Sequence, residues 1–300
     1  MTYHVLHNPR AGQGHVDPRT RLSRLAAEGA QLRIYDITAI TDYPALLASI
    51  PEEDGIIISG GDGTLNHFVN DVDGLHIPNE LYYAPAGTGN DFLRDLNRSE
   101  DSGILPLRPY LQNLPVAELK GQRRRFFNNL GFGIDGYCSE EGEKCRQKNS
   151  NKPINYTAIA IKGLLFHYQP TTATVTVDGV THVFPKTWVA PTMKGRCYGG
   201  GMFAAPHQDR LDPSGKLSVM IFHGKGRLRT LMAFPSIFKG EHIRHTSMVT
   251  ILEGYDIRVS FDSPRTVQID GEMVTNVTEY RACADTQLSA NPVAAAVSEA

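Results

Sequence analysis

No apolar run in this 300-residue sequence approaches the roughly 18 residues of a membrane-spanning helix. The nearest, Tyr156 to Tyr168, is broken by Lys162 and His167, so no spanning segment is expected. The start, Met1-Thr2-Tyr3-His4-Val5-Leu6, places no basic stretch before an apolar core, so no secretory leader is expected. Cysteine is scarce: Cys138, Cys145, Cys197 and Cys283 form no Cys-x-x-Cys pair and are too few for a disulfide scaffold. Reduced thiols in a cytoplasmic protein are the expectation. An excess of one charge is also missing, since 30 Lys+Arg against 32 Asp+Glu leave a formal net charge of −2, which argues against a dedicated nucleic-acid binder. The pattern Gly-x-x-x-x-Gly-Lys-Ser/Thr does not occur, so a Walker-type NTPase is excluded.

What is present is an ordinary globular balance, 41% apolar and 21% charged, which excludes a disordered chain. The 28 glycines and 18 prolines follow no triplet period, which excludes collagen. At about 150 residues per domain the length favours two domains, each with its own core. There are no internal repeats.

The first 121 residues alternate strand and helix signals. Tyr3–Leu6 runs into Asn8-Pro9-Arg10-Ala11-Gly12, and Asp17-Pro18 offers a helix cap with a first-turn proline. Leu32–Ile37 is a second strand. Gly55-Ile56-Ile57-Ile58-Ser59 is a continuous apolar run, as in a parallel strand covered on both faces. It empties into Gly60-Gly61-Asp62-Gly63-Thr64, after which Leu65, Phe68, Val69 and Val72 keep helix spacing. Leu81–Pro85 repeats the scheme with Gly87-Thr88-Gly89-Asn90-Asp91 before Phe92, Leu93 and Leu96. Strand, glycine loop, helix, repeated, predicts a Rossmann-like α/β domain with its loops gathered at one sheet edge.

From 122 to 284 the period becomes two. Val175 and Val177 reach Asp178-Gly179 and the pattern resumes at Val180; Leu217, Val219 and Ile221 alternate, as do Ile257, Val259 and Phe261, then Val267 and Ile269. This predicts an antiparallel β-sandwich or barrel, with residues 285–300 as a tail.

Glycines at a strand-to-helix turn let the backbone approach a ligand closely, and a helix N-terminus adds partial positive charge, so such loops suit phosphate. Asp62 repels an anion and is expected to act through Mg²⁺, or by orienting the loop, or as a plain helix cap. Asp270-Gly271, between apolar strands, reads by itself as a hairpin turn.

Taken together these motifs resemble the diacylglycerol kinase catalytic family, particularly its soluble bacterial lipid kinases, with sphingosine kinases as relatives. The resemblance rests on Asn8–Gly12, Gly60–Asn66, Pro85–Phe92, Asn128–Gly133, Gly199–Pro206 with Asp212–Leu217, and Ile269-Asp270-Gly271-Glu272, in that order. It implies a nucleotide-binding α/β domain (1–121), a lipid-substrate β-sandwich (122–284) and an active site in the cleft between them. By resemblance Asn8, Pro9, Arg10, Ala11, Gly12, Thr38, Gly60, Gly61, Asp62, Gly63, Thr64, Leu65, Asn66 and Thr88 bind ATP, Glu272 is the general base, and Asp270 is its partner. Relatives place Asp-Asp-Gly after the Ala-Pro segment, with side-chain and backbone oxygens on Mg²⁺. Here an insertion, Leu211-Asp212-Pro213-Ser214-Gly215-Lys216-Leu217, leaves Asp212 as the metal candidate or as a turn residue.

The resemblance thus implies ATP- and Mg²⁺-dependent phosphorylation of a hydroxyl on diacylglycerol or a related lipid. Transient peripheral contact with the inner membrane face and a homodimer are further expectations. Phe234–Lys239 with His242, Arg244 and His245 reads either as an anionic-headgroup contact or as core aromatics beside a solvated face; His242-x-x-His245 reads as surface histidine. Two alternatives stay open: an NAD-kinase-like enzyme for a soluble acceptor, sharing the Gly-Gly-Asp-Gly loop, and an inactive nucleotide-sensing regulator.

Overall fold

The computed structural model describes residues 1–14, 17–87, 89–99, 103–148 and 156–284. Residues 285–300, read as a tail, lie outside the described residues. Two compact units emerge: Met1–Gln112 with Cys197–Met202, and Asn113–Arg196 with Phe203 onward. The break falls before the expected 121, because residues 116–125 form a hairpin that pairs into the second sheet.

In the first unit the chain runs β1 (Thr2–His7), α1 (Pro18–Arg21), α2 (Ser23–Ala27), β2 (Gln31–Asp36), α3 (Tyr43–Ala48), β3 (Gly55–Gly60), α4 (Asp62–Asp71), β4 (Leu81–Pro85), α5 (Asp91–Asp95), β5 (Leu105–Pro106) and α6 (Arg108–Leu111). The sheet order is β2-β1-β3-β4-β5, parallel except for β5. Each of the six residues of β3 is buried, as its unbroken apolar run requires. Asp17 caps α1 through its carboxylate, which accepts from Arg19 N at 2.8 Å, and Pro18 occupies the first turn. Leu65, Phe68 and Val69 turn the inner stripe of α4 into the core.

The second unit contains β6 (Val116–Leu119), β7 (Gln122–Arg125), β8 (Asn129–Phe132), α7 (Ile134–Lys148), α8 (Tyr156–Lys162), β9 (Thr171–Val177), β10 (Val180–Thr187), β11 (Thr192–Met193), β12 (Leu217–Phe222), α9 (Arg227–Ala233), β13 (Val249–Gly254), β14 (Asp256–Ile269) and β15 (Glu272–Cys283). Its strands form one ten-stranded antiparallel sheet. β14 organises it: one half pairs with β9, the other with β8, and register shifts around Pro264 separate the two halves. Asp178 and Gly179, both with positive φ (48° and 85°), close the β9–β10 hairpin as their sequence demands. β12 is buried along its whole length, so its alternation marks an interior strand instead of a half-exposed one. The helix α7 was not legible, because its run of glutamates, lysines and arginine carries only a thin apolar stripe.

Candidate active site

Four parallel strands deliver their carboxyl ends to one edge of the first sheet, so the segments after β1, β2, β3 and β4 gather there. Asn8 joins two of them: its Nδ2 donates to Thr64 Oγ1 at 2.9 Å, while its Oδ1 accepts from Arg10 N at 2.9 Å and shapes the turn through Ala11 and Gly12. The loops after β3 and β4 meet backbone to backbone. A Cβ on Gly87 would lie 2.6 Å from Gly61 Cα, so only glycine permits this approach. Ala86 N donates to Gly60 O at 2.7 Å and closes the junction.

No side chain caps α4, although Asp62 stands in its first turn. The Asp62 carboxylate reaches across to the neighbouring helix, accepting from Asp91 N at 2.8 Å and Phe92 N at 3.2 Å. Of the alternatives the sequence left for Asp62, this geometry shows a cap, applied to α5 rather than to its own helix. The N-terminus of α4, with its partial positive charge, is thereby left without a carboxylate cap, as an anion site needs. Leu65 and Asn66 are fully buried, so of this motif Gly60 to Thr64 frame the loop while Leu65 and Asn66 anchor it. Thr38 is exposed after β2 and donates through N and Oγ1 to Asp36 Oδ1. Thr88 lies outside the described residues.

In the second unit Asp270 and Gly271 take positive φ values of 47° and 93° and form the β14–β15 turn. The turn reading of Asp270-Gly271 therefore holds. The Asp270 carboxylate is buried and accepts from three successive amides: Phe127 N, Asn128 N at 2.7 Å and Asn129 N at 2.9 Å. Asp270 therefore fixes the strand entering β8 and the turn that carries Glu272. Glu272 begins β15, half-buried, with its Oε2 2.6 Å from Arg124 Nη2.

Sequence reasoning passed over Asp135, a buried carboxylate in the first turn of α7 whose Oδ1 accepts from Gly136 N at 2.8 Å. A Cβ at Gly131 would collide with its Oδ2. The signal was there to read: a glycine next to the last residue of a strand, followed by an acid at a helix start.

The segment around Asp212 is shaped by hydrogen bonds within the chain. Asp212 Oδ1 accepts from Ser214 N at 2.8 Å, and its carbonyl accepts from Gly215 N at 2.9 Å. The carbonyls of Pro213 and Lys216 are turned to Asn113 and Gln208, and Asp209 Oδ1 accepts from Leu211 N. These oxygens each accept a hydrogen bond from the chain's own donors, with which a cation would have to compete. Hydrogen bonds from Ser214 hold the Asp212 carboxyl below its ordinary range, and Lys216 and Lys194 add to this. Lys194 is fully buried with its Nζ lacking a hydrogen-bond partner among the described residues. Burial lowers it to about 8, Arg210 pressing the same way and Asp212 and Asp209 opposing. Among the described residues no group of three or more His, Cys, Asp or Glu is placed to hold a metal ion.

The stretch Phe234–His245 mixes interior and exposed positions. Phe234, Ile237 and His242 are buried, and His242 Nε2 lies 3.0 Å from Ala204 O, so His242 is a core histidine and the surface reading fails for it. Phe238 in this stretch is exposed, and further exposed apolar side chains include Ile161, Phe166, Leu228 and Met232. Among the described residues no helix is long and apolar enough to cross a membrane.

Comparison with known proteins agrees with this geometry. Residues 2–108 match the model of the diacylglycerol kinase catalytic domain, and residues 128–291 match that of the YegS C-terminal NAD kinase beta sandwich-like domain. A protein of Mycobacterium tuberculosis named diacylglycerol kinase is 25% identical over 257 residues, covering 80% of this chain and 79% of that one. A crystal structure titled as a diacylglycerol kinase from Bacillus anthracis shares the fold, with a TM-score of 0.60 at 20% identity over 94% of each chain.

Proposed function

Because the chain belongs to the family that joins a diacylglycerol kinase catalytic domain to a YegS-type C-terminal domain, we propose that it transfers the terminal phosphoryl group of Mg·ATP to the hydroxyl of diacylglycerol or a related lipid. The observation that carries this reading is the meeting of glycine loops at one sheet edge, where Gly61 and Gly87 touch and α4 starts without a carboxylate on its amides. Phosphoryl transfer asks little covalent work of a protein, so positioning and charge neutralisation dominate. Asn8 to Gly12, Gly60 to Thr64 and Thr38 hold the nucleotide. Magnesium arrives with ATP as part of the substrate, and no step is assigned to an ion at Asp212.

The acceptor oxygen forms its bond to phosphorus as the bond to ADP breaks, and Glu272 takes the hydroxyl proton. Arg124, 2.6 Å from it, orients that carboxylate. Asp270 contributes by fixing the turn. The test is radiolabelled ATP with diacylglycerol, a sphingoid base and a prenol, beside NAD. Label is expected in a lipid. Label in NAD, or in none of the four, overturns the reading.

Contact with an anionic membrane surface belongs to the same proposal. Leu228 and Met232, one turn apart on α9, are 68% and 75% exposed, and Phe166 is 69% exposed on the segment α9 packs against. The stretches 156–168 and 223–235 supply Lys162, Lys225, Arg227 and Arg229 and contain no Asp or Glu. Apolar side chains ringed by cations suit the headgroup boundary of an anionic bilayer.

A further inference from the structure

The segment Cys197–Met202 belongs to the first unit, although a long stretch of β structure separates it from the rest of that unit in sequence. Tyr198 and Met202 pair with each other, N to O at 3.0 and 2.9 Å, and close an arch of three glycines. Gly199, Gly200 and Gly201 all take positive φ, at 63°, 83° and 112°, a succession that side chains resist. The arch is held from below. Asp91 Oδ2 accepts from Gly200 N at 2.8 Å, and Gly201 N also turns to this carboxylate. Arg94, one turn along α5, lies so close to Gly201 that a Cβ there would strike its guanidinium.

Asp91 is itself held by the nucleotide loop, because Asp62 accepts from its backbone N–H. The order of contact is therefore Gly-Gly-Asp-Gly loop, first turn of α5, Asp91 carboxylate, glycine arch. Asp91 is buried, and its Oδ1 has no hydrogen-bond partner among the described residues. A buried carboxylate facing another carboxylate is costly to keep unless its bonds do structural work.

We propose that Asp91 is a positioning residue whose carboxylate clamps the Gly199–Gly201 arch over the carboxyl edge of the nucleotide sheet, making the arch a further wall of that site. The inference takes its purpose from the kinase reading; the clamp itself does not depend on turnover. In the full chain without nucleotide, hydrogen exchange of the 198–202 amides is expected to rise about ten- to hundredfold in Asp91→Ala, the factor to which losing a charge-assisted hydrogen bond converts. Asp91→Asn, which keeps one acceptor oxygen and the shape, is expected to rise less and still measurably. Unchanged exchange in Asp91→Asn overturns the clamp, and this variant decides the matter if Asp91→Ala does not fold. With ATP and an accepted lipid, Asp91→Asn is expected to raise KM for ATP more than it lowers kcat. A fall in kcat alone would leave Asp91 with no positioning role toward the nucleotide. Faster exchange in a protein that phosphorylates nothing would sink the kinase reading and keep the clamp.

Discussion

Asp91 also sets a pH dependence. Burial raises its carboxyl from 3.8 to about 6, the charge of Asp62 adds to this, and the amides of Gly200 and Gly201 together with Arg94 oppose it. A folded value above the unfolded one means that the contribution to stability is full below the unfolded value and is lost as pH rises through about 6. The melting temperature of the wild type relative to Asp91→Asn is therefore expected to fall between about pH 4 and pH 7. A flat difference across that window removes the shift. At Glu272 the expectation concerns rate. Glu272→Gln keeps the shape and loses the proton acceptor, so kcat should drop by about 10²–10⁴-fold while ATP binding persists. An unimpaired variant takes the base role away from Glu272.

At the scale of elements, the loops after β3 and β4 act as one unit because two backbones touch where no side chain fits. Gly87→Ala forces its Cβ onto Gly61, and overpacking of this kind costs about 1–3 kcal/mol. Urea unfolding should show that loss, and calorimetry should show weaker ATP binding than the stability loss alone explains. The Asp212 loop is the contrasting case: Asp212 Oδ1 and the carbonyls of Pro213 and Lys216 accept hydrogen bonds within the chain, and the charge of buried Lys194 acts on the same carboxylate. Without nucleotide, EDTA or added Mg²⁺ should shift the melting temperature by less than about 1 °C, well under the 2–4 °C that 1 kcal/mol produces in a protein of this size. Stoichiometric metal lost on Asp212→Asn would reverse that assignment.

For the whole molecule, distant stretches make common surfaces. The exposed patch of Phe166, Leu228 and Met232 draws on segments about sixty residues apart, and its cations have no acidic neighbours in sequence. Sedimentation with anionic vesicles at low salt is expected to carry the protein down. Leu228→Ser with Met232→Ser should weaken that binding at unchanged charge, whereas neutral vesicles should bind little. Equal binding by the double variant would place the contact elsewhere.

The sequence determined what depends on local spacing and backbone chemistry. The parallel strand β3, the stripe of α4, the Asp17-Pro18 cap, the Asp178-Gly179 and Asp270-Gly271 turns and the glycine loops each follow from residues within a few positions of one another. What lay beyond it depends on partners far apart along the chain. That Asp62 caps α5, that Asp270 grips the amides before β8, that Glu272 meets Arg124, that His242 is interior, and that Cys197–Met202 joins the first unit are matters of tertiary contact. Periodicity reports which face of an element is covered; it carries no information on which distant carboxylate finds which amide, because that is fixed only when the sheets bring their loops together.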